Sequence, residues 1–300
     1  MQERKKLKIA YLILAHKEPQ QLYQMIESLY SKDVQFFVHI DVASSINDFK
    51  KLFDNKQYVN ISSKFKTSWG SFNLVRSELH LLEKAFAWGA DRYVLLSGQD
   101  YPIKSNDQIA LFFEQNKNIG FIEGEKLPKI NWSEHQNGLF RINRFHFEIF
   151  GSWKSFPPHS KKPILRQIFN KSASWYFKLF IRNKQIKDYY HGGQWWVLTL
   201  KQVDYVLRNS NFYTTVFKRF YIADELFIQT LLYNAPEGMF KLKNHNLHFI
   251  KWPDYSSSPE VLTTDYFDEL LSSNKLFARK FDFVKSENLV NKLNAVNSGV

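Results

Sequence analysis

The chain of 300 residues contains no cysteine, so neither a disulfide nor a thiolate metal site can hold it, and the fold must rest on burial and hydrogen bonding alone. A reducing, cytosolic setting is the matching expectation. Glycine and proline are sparse, at 11 and 9 residues, and no Walker-type loop or G-x-G-x-x-G turn occurs, which removes the usual glycine cradle for phosphate. There is no G-x-S-x-G elbow, and the nine histidines show no H-E-x-x-H or other paired spacing, so zinc chemistry is not expected. D-x-D is also absent, and with it the carboxylate pair that commonly carries Mg²⁺ or Mn²⁺ to a nucleotide diphosphate. No apolar run approaches the roughly 18–20 residues of a membrane span. The stretch Ile9 to Ala15, behind the basic Met1 to Lys8, is too short for a signal sequence with its cleavage site. The expectation is a soluble or peripheral protein.

Acidic residues are short as well: 29 Asp and Glu face 41 Lys and Arg, a formal charge of +12. The imbalance is local. Between Gly151 and Lys187 lie nine Lys or Arg and no acid, interleaved with Trp153, Ile164, Leu165, Ile168, Phe169, Trp175, Tyr176, Phe177 and Leu179. A basic, aromatic, amphipathic stretch suits an anionic membrane interface; a solvated basic face over the edge of a core would read the same way. No helix-turn-helix, RNP-like or zinc-finger spacing accompanies the charge, so nucleic acid is not the expected partner.

What is present is an alternation of strands and helices. Lys8 to His16 and Gln35 to Asp41 are apolar runs that read as buried parallel strands, with a helix over Glu18 to Tyr30 between them. The pattern repeats: a short strand at 58–61, a helix over 71–88, a strand over 93–97, a helix over 106–115 and a strand over 119–123. Residues 125–190 break the alternation and read as loops plus a basic helix. Beyond them come a strand in WWVLTL, helices over 201–208 and 224–233, a strand at 248–250 and a helix near 264–271, with a polar tail after Ser286 expected to fray. The fold class is therefore α/β, with 44% apolar residues, enough for one large domain. Open sheets of this kind bind ligand at the carboxyl ends of their strands, where His16, Asp41 and Asp100 fall.

The candidate chemistry lies in isolated carboxylates beside aromatic or glycine residues: Asp41, Asp100 in SGQDYP, Glu123 in IEGEK and Asp224-Glu225 in ADELF. Each could accept a hydrogen bond from a sugar or serve as a general base. Asp224 equally suits a helix N-cap, and Glu225 a first-turn acid favoured by the helix dipole. Lys251-Trp252, followed by Tyr255, offers a flat ring for a sugar with a cation beside it, or an ordinary strand-end aromatic. His16 and His39, taken alone, read as satisfied core or strand-end histidines rather than as ligands.

Taken in order, AYLILAHKEP, FFVHID, SWGSFNLVRSE, YVLLSGQDYPIKS, GGQWWVLT, ADELFIQTLL, FIKWP and LFARKFD resemble the core-2/I-branching β-1,6-N-acetylglucosaminyltransferase and peptide O-xylosyltransferase family, from Lys8 to Asp282. The resemblance implies a GT-A-like, Rossmann-type mixed sheet flanked by helices. It also implies a UDP-sugar donor, inversion at the anomeric carbon, and no metal or other cofactor. Mapped onto it, 8–125 form the nucleotide-sugar half, 151–187 a basic aromatic insertion and 190–285 the acceptor and catalytic half of one domain spanning 1–300. Glu225 takes the place of the base. Asp41 takes that of the nucleoside contact and Lys280, beside Arg279, that of the diphosphate cation. Glu123, Trp252, Tyr255 and Trp195 are placed with the acceptor, and His16 and Asp100 with the donor. The chain departs from the family where an arginine is expected upstream of that lysine; the stretch SSSP at 256–259 stands there instead. Animal members are luminal, cysteine-rich and anchored, so the expected setting here is the bacterial cytoplasm, at the inner membrane face, with a glycan or glycolipid acceptor. Two other readings stay open: a metal-dependent glycosyltransferase, and an anionic-lipid or nucleic-acid binding module on an inactive transferase fold.

Overall fold

A computed structural model of the protein describes residues 7–129, 137–150, 152–158, 162–181, 185–254, 256 and 258–298. Its first half runs β1 (Ile9–Ala15), α1 (Pro19–Leu29), β2 (Val34–Ile40), α2 (Ile46–Lys50), β3 (Val59–Ser62), α3 (Asn73–Trp88), β4 (Arg92–Ser97), β5 (Asp100–Pro102), α4 (Asn106–Gln115) and β6 (Ile119–Ile122). There follow β7 (Glu125–Lys126), the hairpin β8 (Phe145–Ile149) and β9 (Ser152–Phe156), α5 (Pro163–Tyr176), β10 (Tyr190–His191), β11 (Trp196–Thr199) and α6 (Leu200–Phe217). The last part holds α7 (Phe227–Tyr233), β12 (Lys241–Lys243), β13 (His248–Ile250), α8 (Phe267–Ser272), β14 (Phe277–Arg279) and α9 (Glu287–Asn297).

Successive side chains of a strand point to opposite faces, so a strand that is apolar throughout must be covered on both. β1 obeys this: Ile9, Tyr11, Ile13 and Ala15 enter one core, Ala10 and Leu12 the other. The first core is closed by α1, α4, α8 and α9, the second by α3, α6 and α7. Between them lies one seven-stranded sheet in the order β12, β6, β11, β4, β1, β2, β3. The strands from β4 to β3 are parallel, whereas β11 runs antiparallel to both β4 and β6. The mixed sheet flanked by helices is the architecture that the resemblance implied. A second, three-stranded sheet sets β14 parallel to β13 and antiparallel to β5.

Helix boundaries follow local chemistry. α4 opens with a capping box in which the Ser105 hydroxyl accepts from the Gln108 N–H and the Gln108 side chain accepts from the Ser105 N–H at 2.9 Å. Thr199 and Gln202 repeat the device at α6. α3 stops at Gly89, whose φ of +80° lies in the left-handed region that glycine enters without penalty.

Several expectations need correction. α6 does not end near Arg208 but runs to Phe217, because Tyr213, Val216 and Phe217 continue its buried stripe. The tail after Ser286 does not fray: α9 buries Leu289, Val290 and Leu293, and its polar residues are the outer face of an amphipathic helix. Asp224 is not an N-cap; it sits in a 3₁₀ turn, Ala223–Glu225, ahead of α7, whose cap residue is Leu226. The stretch 125–190 holds the β8–β9 hairpin as well as a helix. Among the described residues, no helix is long and apolar enough to cross a membrane.

Candidate active site

Because β11 is antiparallel, its amino end meets the carboxyl ends of β1, β4 and β6 at one edge of the sheet. There a cavity of about 710 Å³ opens, lined by His16 after β1, Ser97 at the end of β4, Glu123 after β6 and Gly193 to Trp195 before β11. The small sheet closes one side with His248 and Arg279, and the turn before α7 adds Asp224 and Glu225. This is the place where an α/β sheet binds its ligand.

Glu225 reaches the cavity with its side chain still 32% exposed, and one of its oxygens accepts a hydrogen bond from the Arg141 guanidinium. The pairing fixes the direction of the carboxylate while leaving its other oxygen to a ligand. Behind it Asp224 is buried, and burial, then the charge of Glu225, pushes its pKa up to about 7. Glu78 of α3 is buried deeper still, and its carboxyl, raised chiefly by burial, accepts from the Gln194 amide at 3.0 Å. Three carboxyl groups thus cluster at this wall, with the outermost held by an arginine.

The side closed by the small sheet is cationic. Arg279 lies over the Trp195 ring at 4.3 Å and 3.7 Å from Asp100. The register that pairs Arg279 with Asp100 across β14 and β5 makes this contact unavoidable. Asp100 itself does not line the cavity: it is fully buried, accepting from the Ser97 N–H at 2.7 Å and the Ser97 hydroxyl at 2.9 Å, with His248 at 3.4 Å. Burial would raise its pKa, but Arg279, then His248, outweigh burial and hold it low. Any effect of Asp100 on a ligand is therefore transmitted through its neighbours Arg279, Ser97 and His248, all of which line the cavity. The Lys280 ammonium donates to the Ser258 hydroxyl at 3.3 Å, and Ser258 lines the cavity, so part of the SSSP stretch stands beside the cations.

Asp41 is nearly buried and lies one residue behind the wall. Its oxygens accept from the Ala43 N–H at 2.6 Å and from the N–H and hydroxyl of Thr67, and Thr67 lines the cavity. Burial works to raise this carboxyl; the bonds from Thr67 and Ala43 prevail and lower it. His16 is exposed at the cavity, its pKa lowered by what burial it has and by Lys17. His39, by contrast, is a satisfied core residue whose Nε2 accepts the N–H groups of Lys64 and Phe65. Glu123 accepts from the Gly193 N–H at 3.0 Å, and a Cβ on Gly192 would stand 2.2 Å from the Glu123 carbonyl oxygen, so the two glycines of GGQWW let the chain close on that residue. Trp252 lines the cavity and is 58% exposed, with the open ring face that a sugar would stack on. Lys251 turns away from it toward Glu269 at 3.5 Å. Tyr255 lies outside the described residues.

Sequence reasoning missed Arg141, Thr67, Trp69, Gln194 and Lys275. The last brings a further cation to the cavity, its ammonium donating to the Asn246 carbonyl at 2.8 Å. The SWG and GGQWW motifs contain three of the five or adjoin them; Arg141 and Lys275 carry no local signal.

Compared with known proteins, residues 9–271 match the model of the Core-2/I-Branching enzyme family. Xylosyltransferase 1 of Rattus norvegicus is 22% identical over 96% of this chain and 35% of its own length. The Homo sapiens xylosyltransferase 1 is 23% identical over 96% of this chain and 30% of its own. Xylosyltransferase 2 of Canis lupus familiaris is 24% identical over 82% and 27%. The chain thus spans about a third of the length of these relatives. With the family's pattern covering 9–271, and so all seven strands of the large sheet and the wall that holds Glu225, this chain belongs to the core-2/I-branching enzyme family.

Proposed function

We propose that this chain is an inverting, metal-independent glycosyltransferase that moves N-acetylglucosamine or xylose from a UDP-sugar to a hydroxyl of a glycan or glycolipid, with Glu225 as the base. One observation carries the reading: one cavity is lined both by a carboxylate that an arginine clamps and by Arg279, with Lys280 reaching the lining residue Ser258. Displacement at the anomeric carbon needs those two features on opposite sides. Glu225 takes the proton from the acceptor hydroxyl as the new C–O bond forms. The bond from the anomeric carbon to the β-phosphate oxygen breaks, and UDP departs with the electron pair. Arg279, Lys280 and Lys275 supply the positive charge that a divalent ion supplies in D-x-D enzymes. Arg279 is held for this work by Trp195 on its face and Asp100 at its end. Thr67, oriented by Asp41, stands on the nucleoside side. Glu123 and Trp252 take the acceptor sugar, one by hydrogen bonds and the other by its ring face. Xylose is among the donors because the relatives' names specify xylosyl transfer. A glycolipid acceptor would bring the chain to the inner face of the bacterial membrane, the setting expected from 151–187.

The test is a panel of UDP-sugars screened by thermal shift. A ligand that binds only the native state raises the melting temperature, by about 2.7 kcal/mol of stability at a hundredfold excess over Kd. One UDP-sugar of the panel is expected to raise it above UDP alone. No shift with UDP or any UDP-sugar would contradict the reading.

A further inference from the structure

α5 is unusual in carrying apolar residues on two faces. Its inner face packs through Ala173, which is buried, and Tyr176, whose ring meets Phe156 of β9 edge-on at 5.5 Å. Its outer face presents Ile164, Ile168 and Trp175, and Leu179 in the π-helical turn Phe177–Ile181 that follows it continues the stripe, the four spaced by four, seven and four residues. Ile164 is 76% exposed and Leu179 57%. An inner stripe accounts for the helix being attached; it does not account for the outer one, which stays in water at a cost unless something apolar covers it.

The hairpin, which meets α5 through Phe156 and Tyr176, adds a second exposed apolar patch. Phe156 is 56% exposed, Phe145 and Ile149 are exposed, and Phe150 at the turn is fully so. Charge of one sign runs through this stretch of sequence, with nine Lys or Arg and no Asp or Glu between Gly151 and Lys187, while Glu148 of β8 is held by the Ser68 hydroxyl. On α5 a shallow groove of about 380 Å³ is lined by Lys171, Lys178 and Trp175, two ammonium groups beside an indole. An apolar stripe with cations along it is the pattern of a helix lying in the interface of an anionic bilayer, the indole and the lysine stems reaching toward the acyl boundary. A second protein chain would have to supply an apolar and acidic face of matching size; an anionic bilayer supplies both by its nature.

The hairpin also touches the cavity. The Trp153 indole N–H donates to the Trp69 carbonyl at 3.0 Å, and both rings pack edge-on against Tyr221, at 5.1 and 5.5 Å. Trp69 lines the cavity. Gly70, at φ +80°, permits this packing, since a Cβ there would stand 2.7 Å from the Tyr221 ring. The Ser68 hydroxyl donates to Glu148 of β8 at 3.0 Å, a second tie between hairpin and cavity wall.

We propose that the outer face of α5 and the β8–β9 hairpin form one docking surface for an anionic lipid bilayer, holding the mouth of the cavity beside it so that the acceptor is a lipid-carried sugar. The acceptor clause rests on the glycosyltransferase reading; the docking rests on the surface alone.

Co-sedimentation with phosphatidylglycerol–phosphatidylcholine vesicles tests the docking, with Ile168→Glu/Leu179→Glu as the variant. Both residues are exposed, so the variant is expected to melt with the wild type and to bind UDP with the same affinity. The wild type is expected to pellet with anionic vesicles at low salt, less at high salt, and not with phosphatidylcholine alone. The variant is expected to lose about tenfold or more in vesicle affinity, since a carboxylate replaces an inserting apolar group and repels the headgroups. Equal pelleting of wild type and variant, or no salt-sensitive pelleting of the wild type, overturns the docking. For the acceptor, labelled UDP-sugar is incubated with vesicles carrying a bacterial glycolipid extract, and label is expected in the organic phase with the wild type and reduced with the variant. Label confined to the water phase while vesicle binding holds overturns the acceptor clause. Failure to bind any UDP-sugar, with vesicle binding intact, overturns the transferase reading and leaves the docking standing.

Discussion

At the scale of single residues, the account turns on which charges face which. Lys280 approaches the cavity through Ser258, and Arg279 is fixed by Trp195 and Asp100, so the two neighbours are not equivalent. Removing Arg279 would leave Asp100 buried without its cation, and the loss would mix folding with binding. Lys280→Ala is the cleaner probe. It is expected to weaken UDP binding about tenfold or more, the worth of one charge-assisted hydrogen bond, with the melting temperature nearly unchanged. Calorimetry reads this directly, and an unaltered Kd would remove Lys280 from the clamp. Glu225, Arg279 and Trp252 were legible as cavity residues because each lies in a short motif whose strand or turn places it, whereas Trp195, expected with the acceptor, is nearly buried beneath Arg279. Arg141 was not, because what makes it matter is a contact to Glu225 across 84 positions of chain. Asp100 was legible as a residue of consequence but not as a buried one, since nothing in SGQDYP shows that the next strand's partner will be Arg279.

At the scale of elements, periodicity located β1, α1, β2, α3, β4 and α4 because each carries apolar residues on a fixed repeat, and it missed the five-residue α2. It failed where elements are short or depend on partners. β5 and β14 have three residues each and exist only within the small sheet, yet their register is what delivers Arg279 to the cavity. α9 failed for another reason: its composition is polar, and only the spacing of Leu289, Val290 and Leu293 marks the buried stripe. That stripe packs into the core shared by β1 and the small sheet, and the Tyr101 hydroxyl of β5 donates to Asn294 of α9 at 3.0 Å. Leu293→Ala is accordingly expected to cost about 2–5 kcal/mol, the range for truncating a buried leucine. Thermal or denaturant unfolding checks it, and a melting curve superimposable on the wild type would contradict a structural role for α9.

At the scale of the whole molecule, two cores on one mixed sheet leave a single edge where loops from β1, β3, β4, β6 and β11 converge, and the second sheet closes that edge with cations. The arrangement separates the labour of the proposed reaction: acid chemistry on the wall between α3 and α7, charge neutralisation on the wall from β13 to β14. The sequence shows only the missing D-x-D; why a cationic wall can stand in for it depends on the tertiary meeting of Arg279, Lys280 and Lys275. The claim that fixed cations, with one carboxylate opposite, suffice for transfer is tested most directly by turnover in EDTA, wild type beside Glu225→Gln. The wild type is expected to keep its full rate under chelation, and the variant to fall by about 10²–10⁴-fold, the reach of a general base, with UDP affinity unchanged. Loss of wild-type turnover in EDTA, or equal turnover in the two proteins, would contradict the account.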